Sequence, residues 1–278
     1  MRKILSIVLA AALLLALSGC SGRTDAGAVV TFFKAGKADA AVIQAQDAVI
    51  VIDTGLEKKA DELIDSLEDL GVDAVDALIL THFDKDHVGG AAALLAHFGV
   101  DAVYQSNYPK DSDEYEAYVE ALAACGIEPV TVTDTLTLPL GGLEITIDGP
   151  DRAAYSVDPS NNSSLIVTVT GGDTTVLFAG DAENARLAEY LETYERSGGD
   201  VILKVPYHGH WQGMLPAFIE AVAPGAAIIP CSKSEPEEDE RETTEALLEK
   251  AGASVWRTYE GDVTLTLTGS GYELAQAD

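Results

Sequence analysis

Cysteine is scarce, with three in 278 residues, and no two of them stand in a CxxC spacing. That excludes a disulfide-built scaffold and a cysteine zinc site. Cys125 and Cys231 each follow an apolar segment and are expected as separate buried thiols. Basic residues are scarce too: 17 Lys and Arg face 46 Asp and Glu, for a net charge of −29. Such a charge repels nucleic acid and anionic surfaces at long range unless metal ions or a local basic patch reverse the field. Beyond residue 20 no run is long and apolar enough to span a bilayer. No internal repeat is present, and no Pro/Gly/Ser-rich linker divides the chain after Gly27. With only five histidines in the chain, two that stand close together carry information.

What is there begins with an address. Arg2-Lys3, an apolar run over residues 4–17 and small residues before a cysteine read as a secretory signal. Leu17-Ser18-Gly19-Cys20 resembles a bacterial lipobox, in which Cys20 is acylated and becomes the mature N-terminus. The expected organisation is a lipoprotein signal peptide over 1–19, a short linker over 20–27 and one domain over 28–278. That domain is expected outside the cytoplasm, held to the membrane through the lipid on Cys20.

Within the domain, short β-rich runs at 29–33, 41–44 and 48–52 are separated by polar turns. An amphipathic helix follows over 57–70, with Ala60, Leu63, Ile64, Leu67 and Leu70 on one face and Gly71 as its stop. A strand to Leu80, a helix over 91–98, a strand over 102–105 and an acidic helix over 114–125 continue the pattern. Strands are expected at 130–133, 135–138 and 143–147, then a loop over 151–160. A hairpin over 164–169 and 174–178 turns at Gly171-Gly172-Asp173. The rest alternates helices (182–196, 215–222, 239–251) with strands (201–205, 226–229, 254–257, 263–267). This alternation predicts an α+β fold of two sheets packed face to face with helices outside.

The densest chemistry lies in Thr81-His82-Phe83-Asp84-Lys85-Asp86-His87-Val88-Gly89-Gly90, between an apolar strand and an alanine-rich helix. Four metal-competent side chains, His82, Asp84, Asp86 and His87, fall within six residues at a strand end, where several ligands can be aimed at one point. Imidazole with carboxylate suits zinc, manganese or iron. A solvated turn with Asp86 capping the next helix would account for one aspartate but not for two histidines. Three further apolar strands end in a polar residue of the same kind: Asp53 after Ile50-Val51-Ile52, Asp181 after Phe178-Ala179-Gly180, and His208 after Val205-Pro206-Tyr207.

In this order the segments resemble the metallo-β-lactamase-fold hydrolases and, among them, the β-lactamase-like domain of the ComEC competence proteins. The resemblance rests on the His-x-Asp-x-Asp-His loop, Asn161-Asn162-Ser163, Gly180-Asp181 and Lys204-Val205-Pro206-Tyr207-His208-Gly209. It implies a four-layered αββα sandwich and one or two divalent ions, zinc or manganese. By that resemblance Asp86, His87, Asp181 and His208 make one metal site, and Asp181 bridges to a second held by His82 and Asp84. Asp53 would support the metal loop. The family at large has histidine at the place of Asp84, and usually another where Asn161 to Ser163 stand, so the second site is oxygen-rich and short of a nitrogen. That shifts its preference toward manganese or a mixed pair.

The implied activity is metal-dependent hydrolysis, foremost of phosphodiester bonds, with a metal-bound hydroxide as nucleophile. Asp84 or Asp86 would orient it, and Lys204, His210 or Asn162 would meet the developing charge, with Asn161, Asn162 and Ser163 touching substrate. Other roles stay open for three of these. Lys204 can snorkel from its strand, His210 stands where the resembling branch has serine, and Asn162 and Ser163 can simply close a turn. A lactonase or β-lactamase of the same fold is the alternative activity. A non-catalytic metal- or ligand-binding lipoprotein is the alternative class. The expected partners are a small-molecule or phosphodiester substrate and the membrane at Cys20, with nucleic acid disfavoured by the net charge.

Overall fold

Val263-Thr-Leu-Thr-Leu-Thr268 alternates apolar and polar residues as a half-buried strand must, and Val263, Leu265 and Leu267 do point into the core. The computed structural model describes residues 27–196 and 198–277, so the signal peptide and the Cys20 lipidation expected above lie outside the described residues. The first half of the domain runs β1 (Ala28–Phe32), β2 (Ala40–Ala45), β3 (Ala48–Thr54), α1 (Ala60–Asp69), β4 (Ala74–Leu80), α2 (Lys85–Val88), α3 (Ala91–His97), β5 (Gly99–Gln105), α4 (Asp113–Cys125) and β6 (Val130–Thr131). The second half runs β7 (Leu136–Leu140), β8 (Leu143–Asp148), α5 (Pro159–Asn162), β9 (Ile166–Gly171), β10 (Thr174–Phe178), α6 (Asn184–Thr193), β11 (Asp200–Lys204), α7 (Leu215–Val222), β12 (Ala226–Ile229), α8 (Glu238–Lys250), β13 (Ser254–Arg257), β14 (Val263–Thr268) and β15 (Gly271–Gln276).

One sheet has the order β15-β14-β1-β2-β3-β4-β5-β6 and the other β13-β12-β11-β10-β9-β8-β7. Ile43, Ile50, Ile52 and Ile79 of the first meet Ile145, Val167, Val169 and Val176 of the second in the central core. On the outer faces, Leu63, Leu67, Leu94 and Tyr118 cover the first sheet, while Leu187, Phe218, Ile219 and Leu248 cover the second. This is the αββα sandwich. Among the described residues no helix is long and apolar enough to cross a membrane.

Topology gathers the site. Strands β3, β4 and β5 are mutually parallel, as are β10, β11, β12 and β13, so the carboxyl ends in each set share an edge. The Leu165 amide donates to the Thr81 carbonyl at 2.9 Å and ties the two sheets together there.

Four local expectations are corrected. β15 forms although no strand was expected there, as a half-exposed edge beside β14. The helix expected over 182–196 spans only Asn184–Thr193, because the chain leaves β10 through Gly180 at φ +51° and turns before the helix can start. Residues 159–162 are a helical turn, not loop. Cys125 is exposed, not buried, since it ends α4 on the solvent side, where Gly126 at φ +69° closes the helix. Cys231 is buried, and the two thiols are unpaired.

Candidate metal centre

Asp53, next to last in β3, has φ +56°, a left-handed backbone that an aspartate adopts only when its surroundings hold it. Its carboxylate accepts the Thr81 amide at 2.8 Å and the Thr81 hydroxyl at 2.7 Å, which fixes the end of β4. It also meets His87 Nδ1 at 2.8 Å. A carboxylate can only accept, so Nδ1 keeps its proton and Nε2 is the nitrogen that can give up its own to ligate a metal. His208 is set the same way, with Nδ1 on the Pro230 carbonyl at 3.0 Å. The Thr81 proton goes to Asp53, so His82 Nδ1 donates to the Thr81 oxygen at 3.2 Å, and its Nε2 is the ligating nitrogen as well. Gly90 lets this loop seat, since a Cβ there would lie 2.4 Å from the Thr54 carbonyl.

The three Nε2 nitrogens converge on Asp181. Its carboxylate lies 3.2 Å from His87 Nε2, 3.1 Å from His208 Nε2 and 4.0 Å from His82 Nε2. Asp86 lies 3.5 Å from His208 Nε2. All three imidazole nitrogens and Asp181 Oδ1 are buried without a hydrogen-bond partner in the protein. Three such orphans around one carboxylate are costly unless a cation occupies the space between them. The donor set fits a divalent ion. Asp86, His87, Asp181 and His208 would hold it, with His82 and Asp84 on the adjoining side.

The charges agree with a cation site. Burial works against charging His87 and His208, but the carboxylates of Asp181, Asp53 and Asp39 around them outweigh it, and both imidazoles sit well above their ordinary value. Burial alone would raise Asp181, yet those two imidazoles hold it well below the carboxylate range. His82 is pushed down to about 4, by burial and by the His87 charge. Protons thus stand in for the metal on His87 and His208. Metal binding should release up to about one proton from each, and affinity should rise with pH. Calorimetry in buffers of different ionisation enthalpy reads this directly, and a buffer-independent heat would contradict it. The same pair stabilises the metal-free fold fully below pH ~6.5, a contribution lost as pH rises through the raised values.

Other expected residues are placed differently. Lys204 does not reach the open face: it is 2% exposed, ion-paired with Asp39, and donates to the Gly180 carbonyl at 2.8 Å. Asn162 and Ser163 are buried, so the expectation of substrate contact is corrected for both. Asn162 donates to the Val157 and Asp158 carbonyls and accepts the Arg186 amide, and Ser163 donates to the Pro159 carbonyl. They close a turn. Arg186 locks that turn from below, through Ser164, Glu189 and Asp148. Asn161 alone of the three lines an open cleft, and it donates to Glu183 at 2.8 Å. His210 packs against Tyr207 and is held by Glu240 at 3.1 Å, with Nε2 unpartnered.

Two residues near the centre have no signal in the local sequence. Asp39, from the turn before β2, lies 3.3 Å from His208 Nδ1 and 3.8 Å from His87 Nδ1, behind both ligands. Lys110, from the loop after β5, is ion-paired with Asp84, which also accepts from Ser160. The ammonium thus neutralises the carboxylate expected to hold a second ion. Lys110→Ala should convert a centre that takes one ion tightly into one that takes a second, as counted by elemental analysis of manganese-soaked protein. Unchanged stoichiometry would show that Lys110 does not govern that position.

Residues 34–233 match the family described as Metallo-beta-lactamase superfamily. The chain is 32% identical over 201 residues to ComE operon protein 3 of Bacillus subtilis, covering 70% of this chain and 25% of that protein. It is 27% identical over 179 residues to Recombination protein 2 of Haemophilus influenzae, covering 63% of this chain and 20% of that protein. The matched region is thus a quarter or less of either relative's length. Among solved structures, the metallo-beta-lactamase fold protein YhfI from Bacillus subtilis aligns with a TM-score of 0.56 at 12% identity, over 88% of this chain and 99% of that one. The diiron beta-hydroxylase CmlA from Streptomyces venezuelae aligns with a TM-score of 0.56 at 16% identity, over 88% and 54%. At these identities the structural likenesses show the fold alone. Family match, sequence relatives and the strand-end cluster of His and Asp agree: the chain belongs to the metallo-β-lactamase superfamily.

Proposed function

We propose that this chain is a metal-dependent hydrolase acting on phosphodiester bonds. The observation that carries the reading is the set of buried imidazole Nε2 atoms around Asp181, which adjoins, through Asp84, a cleft of about 560 Å³ that also holds Lys110 and Asn161. When bound, a divalent ion supplies Lewis-acid polarisation of substrate oxygens and a water acidified toward neutrality. The protein's part is positioning. His87 and His208 are locked in the ligating tautomer by Asp53 and the Pro230 carbonyl. Asp86, on the open side of His208, is placed to take the proton of an attacking water. Lys110, in the wall of the cleft beside Asp84, offers a cation to a phosphoryl oxygen. His210, held through Nδ1 by Glu240, keeps a buried and unpartnered Nε2 and is given no step.

The Lys110 ammonium, paired with Asp84 in the wall of that cleft, favours an anionic phosphodiester over a neutral lactone. The test uses protein purified without chelator, its metal content measured, then assayed on bis-p-nitrophenyl phosphate, a lactone and nitrocefin with zinc or manganese. Turnover of the first alone is expected. Turnover of nitrocefin or the lactone with no phosphodiesterase activity would replace this reading with the alternative one.

A further inference from the structure

The chain has ten lysines in 278 residues. Four of them, Lys37, Lys58, Lys59 and Lys85, line one cleft of about 480 Å³ whose wall includes Asp86 of the metal centre. They come from three separate segments: the turn before β2, the turn before α1, and α2 itself. In so acidic a chain, that concentration beside the centre stands out.

The cleft is only partly neutralised from within. Asp86 is turned toward His208, and the other carboxylate in the wall, Glu235, lies 3.4 Å from Lys37. Lys59 is paired with Glu62. Lys58 and Lys85 are exposed and have no hydrogen-bond or ion-pair partner among the described residues. The α2 loop separates this cleft from the one holding Lys110, with Asp84 on one side and Asp86 on the other.

We propose that the lysine cleft binds phosphates of the substrate beyond the one that reacts, so that the substrate is a chain of spaced phosphodiesters lying across the metal loop. Resting on the hydrolase reading above, this adds that the substrate is a polyanion and names where its unreacting part sits. Clustered ammonium groups at the mouth of an acidic protein capture such a chain despite the unfavourable long-range field, because screening confines that field to about 8–10 Å at ordinary salt.

The probe is a fluorescein-labelled hexathymidylate with a hydrolysis-resistant phosphorothioate backbone, added to the full chain purified without chelator and followed by anisotropy across salt concentrations. Lys58→Gln and Lys85→Gln should each weaken binding, and the double variant should weaken it by about tenfold. The double variant should also lower the steepness of log K against log salt by about 1.4, the value for two lost contacts on a single strand. Lys250→Gln, the same charge change at the distant end of α8, should bind as wild type does. An uncharged methylphosphonate hexathymidylate should not bind. An unlabelled glycerol-phosphate hexamer separates the sources: competition equal to that of hexathymidylate identifies an envelope-type polymer as sufficient, and much weaker competition identifies a nucleic acid. Either result supports the cleft.

The proposal is overturned if the double variant binds as wild type does, if Lys250→Gln weakens binding as much as Lys85→Gln, if the methylphosphonate binds equally, or if wild type does not bind. Failure of the hydrolase reading looks different, as lysine-dependent binding with no turnover of bis-p-nitrophenyl phosphate under any metal.

Discussion

Asp181→Ala should leave the protein unable to retain a divalent ion and at least ~1,000-fold slower on bis-p-nitrophenyl phosphate. Three imidazole nitrogens face this one carboxylate, and among the described residues no other side chain meets all three. Removing it takes away the central ligand, and Lewis-acid stabilisation of several kcal/mol goes with the ion, at ~1.4 kcal/mol per tenfold in rate. The variant has a second signature besides lost activity, read on protein whose fold is checked. Burial lowers the His87 and His208 pKa values, and Asp181 is the largest influence raising both. In metal-free Asp181→Ala both should therefore titrate lower than in wild type, with Asp53 and Asp39 still holding them partly up. Imidazole titration by NMR with a far-ultraviolet dichroism check reads this. Stoichiometric metal retained by the variant would show that Asp181 is not the shared ligand.

The residues around Asp181 were legible in the sequence for a physical reason. Each ends an apolar strand, so a strand pattern followed by His or Asp marks a side chain delivered to a sheet edge. His82, Asp84, Asp86 and His87 need only their own loop, and Asp53, Asp181 and His208 only their own strand ends. What was not legible depends on partners far away in sequence. Lys204 reads as a cation beside a catalytic motif, but its role is set by Asp39, which arrives from the turn before β2. Asp39 itself stands between two alanines in that turn, and nothing local shows it buried. Lys110 looks like any loop lysine until β5 brings it to Asp84. Asn162 and Ser163 sit in a motif that suggests substrate contact, yet their hydrogen bonds close the turn that Arg186 locks from α6. The lysine cleft is the extreme case, since its members span residues 37–85 and meet only when three loops pack together. β15 was missed because a half-exposed edge strand leaves only a weak alternation to read.

Asp39→Ala should destabilise the metal-free protein by ~3–5 kcal/mol, because it leaves the Lys204 ammonium buried without its closest counter-charge. Burial disfavours that ammonium, and its pKa is nevertheless raised, chiefly by Asp39 and then by Asp181. Asp39 is likewise held low, against burial, by Lys204, His87 and His208. The pair therefore stands as a unit. With Asp39 gone, Lys204 keeps the Gly180 carbonyl at 2.8 Å and Asp181 at 3.8 Å, and its charge then competes with the metal for Asp181. For a domain of this size the melting temperature should fall by on the order of 10 °C. Asp39→Ala/Lys204→Met should recover most of that loss, since replacing both members of a buried pair by apolar groups is often neutral or stabilising. Metal affinity should not recover with it. The double variant still lacks the carboxylate 3.3 Å behind His208 Nδ1, and loss of such a supporting partner costs ~10–100-fold in affinity. Denaturant unfolding of the four proteins of this cycle, with metal calorimetry on each, separates the two effects. A single-variant loss below ~1 kcal/mol, or a double variant whose losses simply add, would mean that the Asp39–Lys204 pair does not act as a unit.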